Sequence, residues 1–175
     1  QVYQGVTEND PGMLGEIRKR VYEGRWYIVG GWWVEPDINM PSGEAMVRQG
    51  LYGQLTLQRL LGHRATVATN PDSFGHTSTL PQIIKLQGMD NYIFMRPGIK
   101  EKSLPADLFW WEGPDGTRVL TYRIQFSYGD GGSVKNRIKR IMTQFRAKPR
   151  QSFIAYYGAG DQGVGLEKEK ISSID

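Results

Sequence analysis

The chain has 175 residues, of which 39% are hydrophobic and 11% aromatic, with a formal net charge of +4. This composition is typical of a globular domain with a sizeable core, and the lack of cysteine excludes disulfides and thiolate metal sites in this sequence. The basic residues are scattered among acidic ones and no apolar run is long enough to span a bilayer, so we expect neither nucleic acid nor membrane as a partner.

The first part of the chain alternates helical and extended patterns. Asp10-Pro11 provides an N-cap and a first-turn proline for a helix that closes at Gly24. Trp26–Val29 is predicted to be a strand, the segment from Gly43 to Leu61 a long helix, and Arg64–Thr69 a second strand. The length of this strand–helix–strand unit predicts that its two strands are parallel neighbours. Five apolar residues are expected on the inward face of the long helix: Met46, Val47, Leu51, Leu55 and Leu60.

The second part continues with a helix and a strand before the pattern changes to a hairpin. Its predicted elements are a helix from Leu80 to Leu86, a strand from Tyr92 to Met95, hairpin strands at 107–111 and 117–124, a helix from Val134 to Arg146, and a strand from Phe153 to Tyr157. We interpret residues 1–175 as a single partial domain of the α/β class, with mostly parallel strands and one hairpin. The first residue is not Met and residue 175 lies within a helical pattern, so we expect a fragment of a longer protein.

A polar loop at residues 70–77 follows the strand at 64–69. It contains a carboxylate, an aromatic ring and an imidazole at Asp72, Phe74 and His76, and the carboxyl ends of strands are where α/β proteins bind ligands. A plainer interpretation is that Asp72 caps the next helix and His76 is structural. Strand ends also deliver Asp37, Arg96 and Asp161 to the same rim.

Two carboxylates at such a rim are the minimum requirement for cleaving a glycosidic bond, one as nucleophile or base and one as proton donor. Aromatic rings pack against sugars, and the candidates here are Phe74, Trp32, Trp33 and Tyr128, although core packing explains many tryptophans. A metal is the alternative, but Asp72 and His76 alone supply too few ligands for a zinc site.

Several long motifs strongly resemble glycoside hydrolase family 38, the α-mannosidases, and above all its bacterial members. They are Gly30-Gly31-Trp32-Trp33-Val34-Glu35-Pro36-Asp37, Pro41-Ser42-Gly43-Glu44, Pro71-Asp72-Ser73-Phe74-Gly75-His76-Thr77, Leu80-Pro81-Gln82-Ile83, Phe109-Trp110-Trp111-Glu112-Gly113 and Tyr157-Gly158-Ala159-Gly160-Asp161. They occur in the family's order and cover nearly the whole chain.

The resemblance implies part of an N-terminal catalytic domain with a seven-stranded β/α barrel, one zinc ion and a retaining mechanism that releases terminal α-linked mannose from oligosaccharides. It implies that Asp72 is the nucleophile and a zinc ligand, and that Asp161 is a candidate general acid. Some relatives have two consecutive aspartates where this chain has Asp161-Gln162. The resemblance places Phe74, Arg96 and Tyr128 at the substrate, with His76 orienting the loop. Asp37 is a further candidate substrate contact because of its position at the rim.

The resemblance also implies zinc ligands that these 175 residues do not contain: a His-x-Asp pair upstream and a downstream histidine. We therefore expect this stretch alone to be inactive and the full-length protein to be the enzyme. The alternative is a carbohydrate-binding or inactive relative that lacks the metal site. The sequence leaves the compartment, the oligomeric state and the linkage preference open.

Overall fold

A computed structural model of the chain describes residues 1–125, 135–136, 139 and 142–143. The chain divides into two units, Gln1–Arg123 and Ile124–Asp175, and the architecture below is that of the first. Its elements in chain order are α1 (Val2–Asn9), α2 (Pro11–Tyr22), α3 (Gly43–Leu61), β1 (Val67–Asn70), α4 (Leu80–Leu86), β2 (Asn91–Phe94), β3 (Leu108–Glu112) and β4 (Arg118–Arg123).

Three predicted helices, which correspond to α2, α3 and α4, and the four predicted strands that correspond to β1–β4 are confirmed. Helices α3 and α4 have the predicted bounds, and Asp10 caps α2 by accepting the backbone N–H of Met13. Helix α1 was not predicted. The strand predicted at 153–157 lies outside the described residues, as does most of the helix predicted at 134–146, and the single-domain interpretation stays a prediction.

The four strands form one open sheet in the order β1-β2-β4-β3. Strand β2 is parallel to both β1 and β4, whereas β3 and β4 form the predicted antiparallel hairpin. In this register Asn70 pairs with Phe94 and Phe94 with Arg123, so three neighbouring strands end side by side. The loops that follow β1 and β2 therefore leave the sheet at one edge.

The strand predicted at Trp26–Val29 is wrong. The backbone N–H groups of Arg25 and Trp26 both donate to Arg20 at the end of α2, so the chain turns there. Further on, Gly30 donates to Val67 of β1 over 2.8 Å, and this is the one backbone bond recorded between the segment and β1. Positive φ angles at Gly30 and Gly31 then break the extended geometry that a paired strand needs.

The inward face of α3 also differs from the prediction. Val47, Leu51 and Leu55 are exposed by 44%, 52% and 49%, whereas Met46 and Leu60 are buried as expected. The buried face of α3 is thus turned away from the one predicted, and glycine explains why. A Cβ at position 53 would lie 2.3 Å from the carbonyl oxygen of Gly31, so only glycine allows this close approach. Helix α3 thus approaches its neighbours through small residues; its buried positions are Met46, Gly50, Gly53, Gln54, Leu57, Leu60 and Leu61.

A buried glutamine connects α3 to the segment before β1. Gln54 donates to the carbonyl of Ala65 over 2.8 Å and accepts the Ala65 N–H over 2.9 Å. Both polar ends of the amide are satisfied, which makes its burial favourable. None of the helices in the described part of the chain is long and apolar enough to cross a membrane.

Candidate active site

The site lies where the loop after β1 meets the segment at residues 35–38. Asn70, the last residue of β1, is buried; it donates to the Pro36 carbonyl over 2.6 Å and accepts the Ser73 N–H over 3.0 Å. Ser73 in turn accepts the Ile38 N–H through Oγ over 3.2 Å. These bonds between buried groups fix the loop that carries Asp72 against the neighbouring loop.

Asp72 and Arg96, which follow β1 and β2, form an ion pair at this edge. Arg96 Nε lies 2.6 Å from Asp72 Oδ1, and both atoms are shielded from solvent although the two side chains are about one-third exposed. The geometry does not meet that of a hydrogen bond, so the attraction is mainly electrostatic. The Arg96 backbone N–H also donates to the Pro71 carbonyl over 3.1 Å, which joins the two strand ends a second time.

Phe74 presents an aromatic face beside this pair. Its side chain is 75% exposed, and the guanidinium carbon of Arg96 lies 5.1 Å from the ring centroid, within the range of a cation–π contact. The ring is therefore open to a ligand at the edge where Asp72 lies. The structure therefore brings three predicted site residues together: Asp72, Phe74 and Arg96.

His76 lies behind the ion pair with both ring nitrogens engaged. Nε2 lies 2.7 Å from the Arg96 carbonyl oxygen and Nδ1 lies 3.1 Å from the Tyr92 hydroxyl. A carbonyl only accepts, so Nε2 carries the proton and Nδ1 accepts from Tyr92. The imidazole also makes edge contacts with the rings of Tyr92, Phe94 and Trp111.

Burial determines the protonation states in this group. It lowers the pKa of His76, more than the bond to the Arg96 carbonyl raises it, and the charge of Lys102 lowers it further. Burial likewise raises the pKa of Tyr92 well above its ordinary value, with the charge of Glu35 adding to the effect. At neutral pH the chain from Tyr92 through His76 to Arg96 therefore consists of neutral donors and acceptors.

Other predicted residues have structural roles or fall outside the described part. Asp37 accepts the N–H groups of Asn39 and Met40, an Asx-type turn within its own loop. Trp32 is buried and its indole N–H donates to Gln87 over 2.8 Å, which agrees with core packing, the alternative given for the tryptophans. Tyr128 and Asp161 lie outside the described residues.

Glu35 was missed as a site residue. Its Oε1 accepts the backbone N–H of Asp72 over 2.9 Å. The signal was available, because Glu35 stands two residues before Asp37 in a motif at the same rim, but nothing local indicated which loop its side chain reaches.

The described residues do not by themselves form a zinc site. Asp72 offers one carboxylate, whereas both nitrogens of His76 are already in hydrogen bonds. Within the described part of the chain, no three His, Asp or Glu side chains converge as a metal ion requires.

The whole chain, residues 1–175, matches the model of the N-terminal domain of glycosyl hydrolases family 38. The chain belongs to glycosyl hydrolase family 38. It is 38% identical to human alpha-mannosidase 2C1 over 177 residues and 35% identical to alpha-mannosidase G of Dictyostelium discoideum over 167 residues. These matches cover 99% and 94% of this chain but 17% and 15% of the two relatives.

Two solved enzyme structures of similar fold can be compared with this chain. An alpha-mannosidase from Enterococcus faecalis V583 matches with a TM-score of 0.63 and 26% identity, covering 81% of this chain and 16% of that one. A 4-alpha-glucanotransferase from Thermococcus litoralis matches with a TM-score of 0.68 over 97% of this chain and 27% of that one; at 14% identity it shares the fold alone. The family 38 chain described here thus spans about a sixth of the curated relatives named above.

Proposed function

We propose that the full-length protein is a retaining α-mannosidase that releases terminal α-linked mannose from oligosaccharides or glycans, with Asp72 as its nucleophile. One observation carries the proposal: Asp72 lies at a strand end, paired with Arg96 and beside the exposed ring of Phe74. Membership of family 38 and the α-mannosidase names of the relatives support the substrate class. We further propose that the open sheet is part of a seven-stranded β/α barrel.

The first chemical step uses the Asp72 carboxylate. One of its oxygens attacks the anomeric carbon as the bond from that carbon to the leaving oxygen breaks, and the leaving oxygen takes a proton from an acid, for which Asp161 is the candidate. Water then cleaves the covalent ester, giving mannose with retained configuration and restoring the carboxylate. Arg96 holds Asp72 and Phe74 packs beneath the sugar, while Asp37 and Tyr128 remain candidate substrate contacts.

Zinc is part of the proposal for the full-length protein. It would orient sugar hydroxyls as a Lewis acid, with Asp72 as one of its ligands. No three His, Asp or Glu side chains converge in the described part of the chain as a metal ion requires. The remaining ligands are expected in other parts of the full-length protein.

The test is release of 4-nitrophenol from its α-mannoside by the full-length protein and by Asp72→Ala. We expect the variant to lose activity, and azide to restore turnover by attacking the anomeric carbon in place of the missing carboxylate. A chelator should inactivate the wild-type protein and added zinc should restore it. Full activity in Asp72→Ala would contradict the assignment of Asp72 as nucleophile. If the zinc-loaded protein binds the mannoside but releases no 4-nitrophenol, a carbohydrate-binding relative is favoured instead.

A further inference from the structure

The backbone of Asp72 is held by a residue 37 positions earlier in the chain. Glu35 reaches across the two loops, and its Oε1 accepts the Asp72 N–H over 2.9 Å. The Glu35 side chain is exposed, so it is not fixed there by packing in the core. The hydrogen bond to the Asp72 N–H therefore accounts for the position of the exposed Glu35 carboxylate.

The bond is not needed to join the loops. Asn70 already donates to Pro36, and Ile38 donates to Ser73, so the two segments are connected on both sides of Asp72 through buried groups. Neither of those bonds involves the Asp72 peptide itself. The bond from Glu35 therefore acts on the position of Asp72 and adds little to the attachment of the loop.

Arg96 holds the same residue at its other end. The Asp72 carboxylate lies 2.6 Å from Arg96 Nε, while its backbone N–H is bound by Glu35. With anchors at both the peptide and the carboxylate, the side chain has little freedom to rotate. A displacement of a reacting group by about 1 Å costs on the order of 10²-fold in rate, so such anchoring has a direct catalytic consequence.

We propose that Glu35 is a positioning residue that fixes the Asp72 nucleophile through its backbone N–H and does not itself touch the sugar or the leaving group. The proposal rests on the assignment of Asp72 as nucleophile. It requires an acceptor oxygen at position 35 and does not require a proton there. It therefore predicts that glutamine replaces Glu35 well and that alanine does not.

Kinetics of the full-length, zinc-loaded protein separate this role from its alternatives. The variants are Glu35→Ala, Glu35→Gln and Asp72→Ala, with Glu44→Ala as a control because Glu44 is another exposed carboxylate, paired with Arg48 on α3. Each is assayed with phenyl α-mannoside and with 2,4-dinitrophenyl α-mannoside. The second leaving group departs without a proton, so its release does not depend on the general acid.

For Glu35→Ala we expect kcat to fall by about 10- to 100-fold on both substrates, with KM changed by less than about twofold. Glu35→Gln should recover most of the lost rate, because its amide oxygen still accepts the Asp72 N–H, and Glu44→Ala should match the wild type. A loss confined to the phenyl substrate would overturn the proposal by making Glu35 a proton donor. A raised KM at constant kcat would overturn it by making Glu35 a sugar contact.

The Asp72→Ala result separates the two levels of the proposal. If Asp72→Ala is inactive while Glu35→Ala behaves as the wild type, the positioning role of Glu35 is wrong, but Asp72 is still supported as the nucleophile. If Asp72→Ala keeps full activity, the proposed function fails whatever Glu35 does. Equal loss in Glu35→Ala and Glu35→Gln would also contradict positioning, because the acceptor oxygen would then not be the feature that matters.

Discussion

The Tyr92 hydroxyl lies 3.1 Å from Nδ1 of His76, and it donates this bond while the imidazole is neutral. Tyr92 is fully buried, so its hydroxyl has no access to bulk water as a substitute partner. The other nitrogen of His76 donates to the Arg96 carbonyl. Tyr92 and the partly buried His76 thus support the backbone of the arginine that pairs with Asp72.

This arrangement predicts a loss of stability in acid. The pKa of His76 is lowered by burial, so as pH falls below the ordinary histidine value of about 6.5 the unfolded chain takes up a proton that the folded chain does not. The free energy of unfolding should therefore decrease between about pH 6.5 and the lower pKa of folded His76. The measurement is the urea midpoint of the full-length protein at pH 7.5 and 5.5.

The variant that checks the assignment is His76→Gln. It should lose less stability on acidification than the wild type, because the titrating group is gone. The same acid sensitivity in His76→Gln and wild type would contradict the assignment.

Replacing Arg96 should damage catalysis even when the charge is kept. Arg96→Lys retains a cation, but an ammonium does not pair with Asp72 and cover the ring of Phe74 at once, as the planar guanidinium does. We expect kcat/KM for 4-nitrophenyl α-mannoside to fall by about 10²-fold.

Arg118→Lys is the control for this substitution. Arg118 also lies over an aromatic ring, 5.6 Å from the Trp110 centroid, and pairs with Glu112, but on the exposed hairpin. Its replacement should leave kcat/KM unchanged. Equal effects of the two substitutions would show that the Arg96 contacts have no special part in catalysis.

Arg123→Met should be strongly destabilising. Arg123 pairs with Asp107 over 3.0 Å, with side chains only 5% and 12% exposed, and also donates to the Lys102 carbonyl. Removing one partner of a buried pair costs about 3–5 kcal/mol, against less than about 1 kcal/mol for an exposed pair. Thermal unfolding should thus shift far more for Arg123→Met than for Arg20→Met, which breaks an exposed pair with Glu23; similar shifts would disprove the difference.

Two glycine-to-alanine changes should have opposite signs. At Gly53 the new Cβ would lie 2.3 Å from the Gly31 carbonyl oxygen, and such overpacking costs about 1–3 kcal/mol. At Gly15 in α2 no atom lies within 4 Å, so alanine should stabilise the helix by about 0.5–1 kcal/mol. Chemical denaturation of both variants measures the signs, and a neutral Gly53→Ala would mean that α3 packs less closely than described.

The sequence predicted what depends on local pattern. Helix α3 is marked by Ser42 and Gly62 at its ends, α4 by its apolar spacing, and the hairpin by its turn residues, so these elements have close to the predicted bounds. The inward face of α3 could not be predicted from hydrophobicity, because Gly50 and Gly53 are buried for lack of a side chain. The segment at 26–29 has strand-like residues, but strand formation depends on partners that lie elsewhere in the chain.

The site shows the same division. Motif order placed Asp72, Phe74 and Arg96 near one another, because strand ends of parallel strands share an edge. The ion pair, the two bonds of His76 and the reach of Glu35 depend on how the loops fold over each other, which no spacing encodes. Asp161 and Tyr128 stay predictions.

Gln54 has a consequence for amide exchange. The Ala65 N–H is held by a side chain of α3, so its protection from deuterium depends on that helix staying in place. If α3 detaches briefly while all four strands remain paired, Ala65 exchanges and the amides of the sheet do not. Deuterium uptake at Ala65 therefore reports how often α3 detaches. Comparing it with uptake at the amides of the sheet separates motion of the helix from unfolding of the sheet.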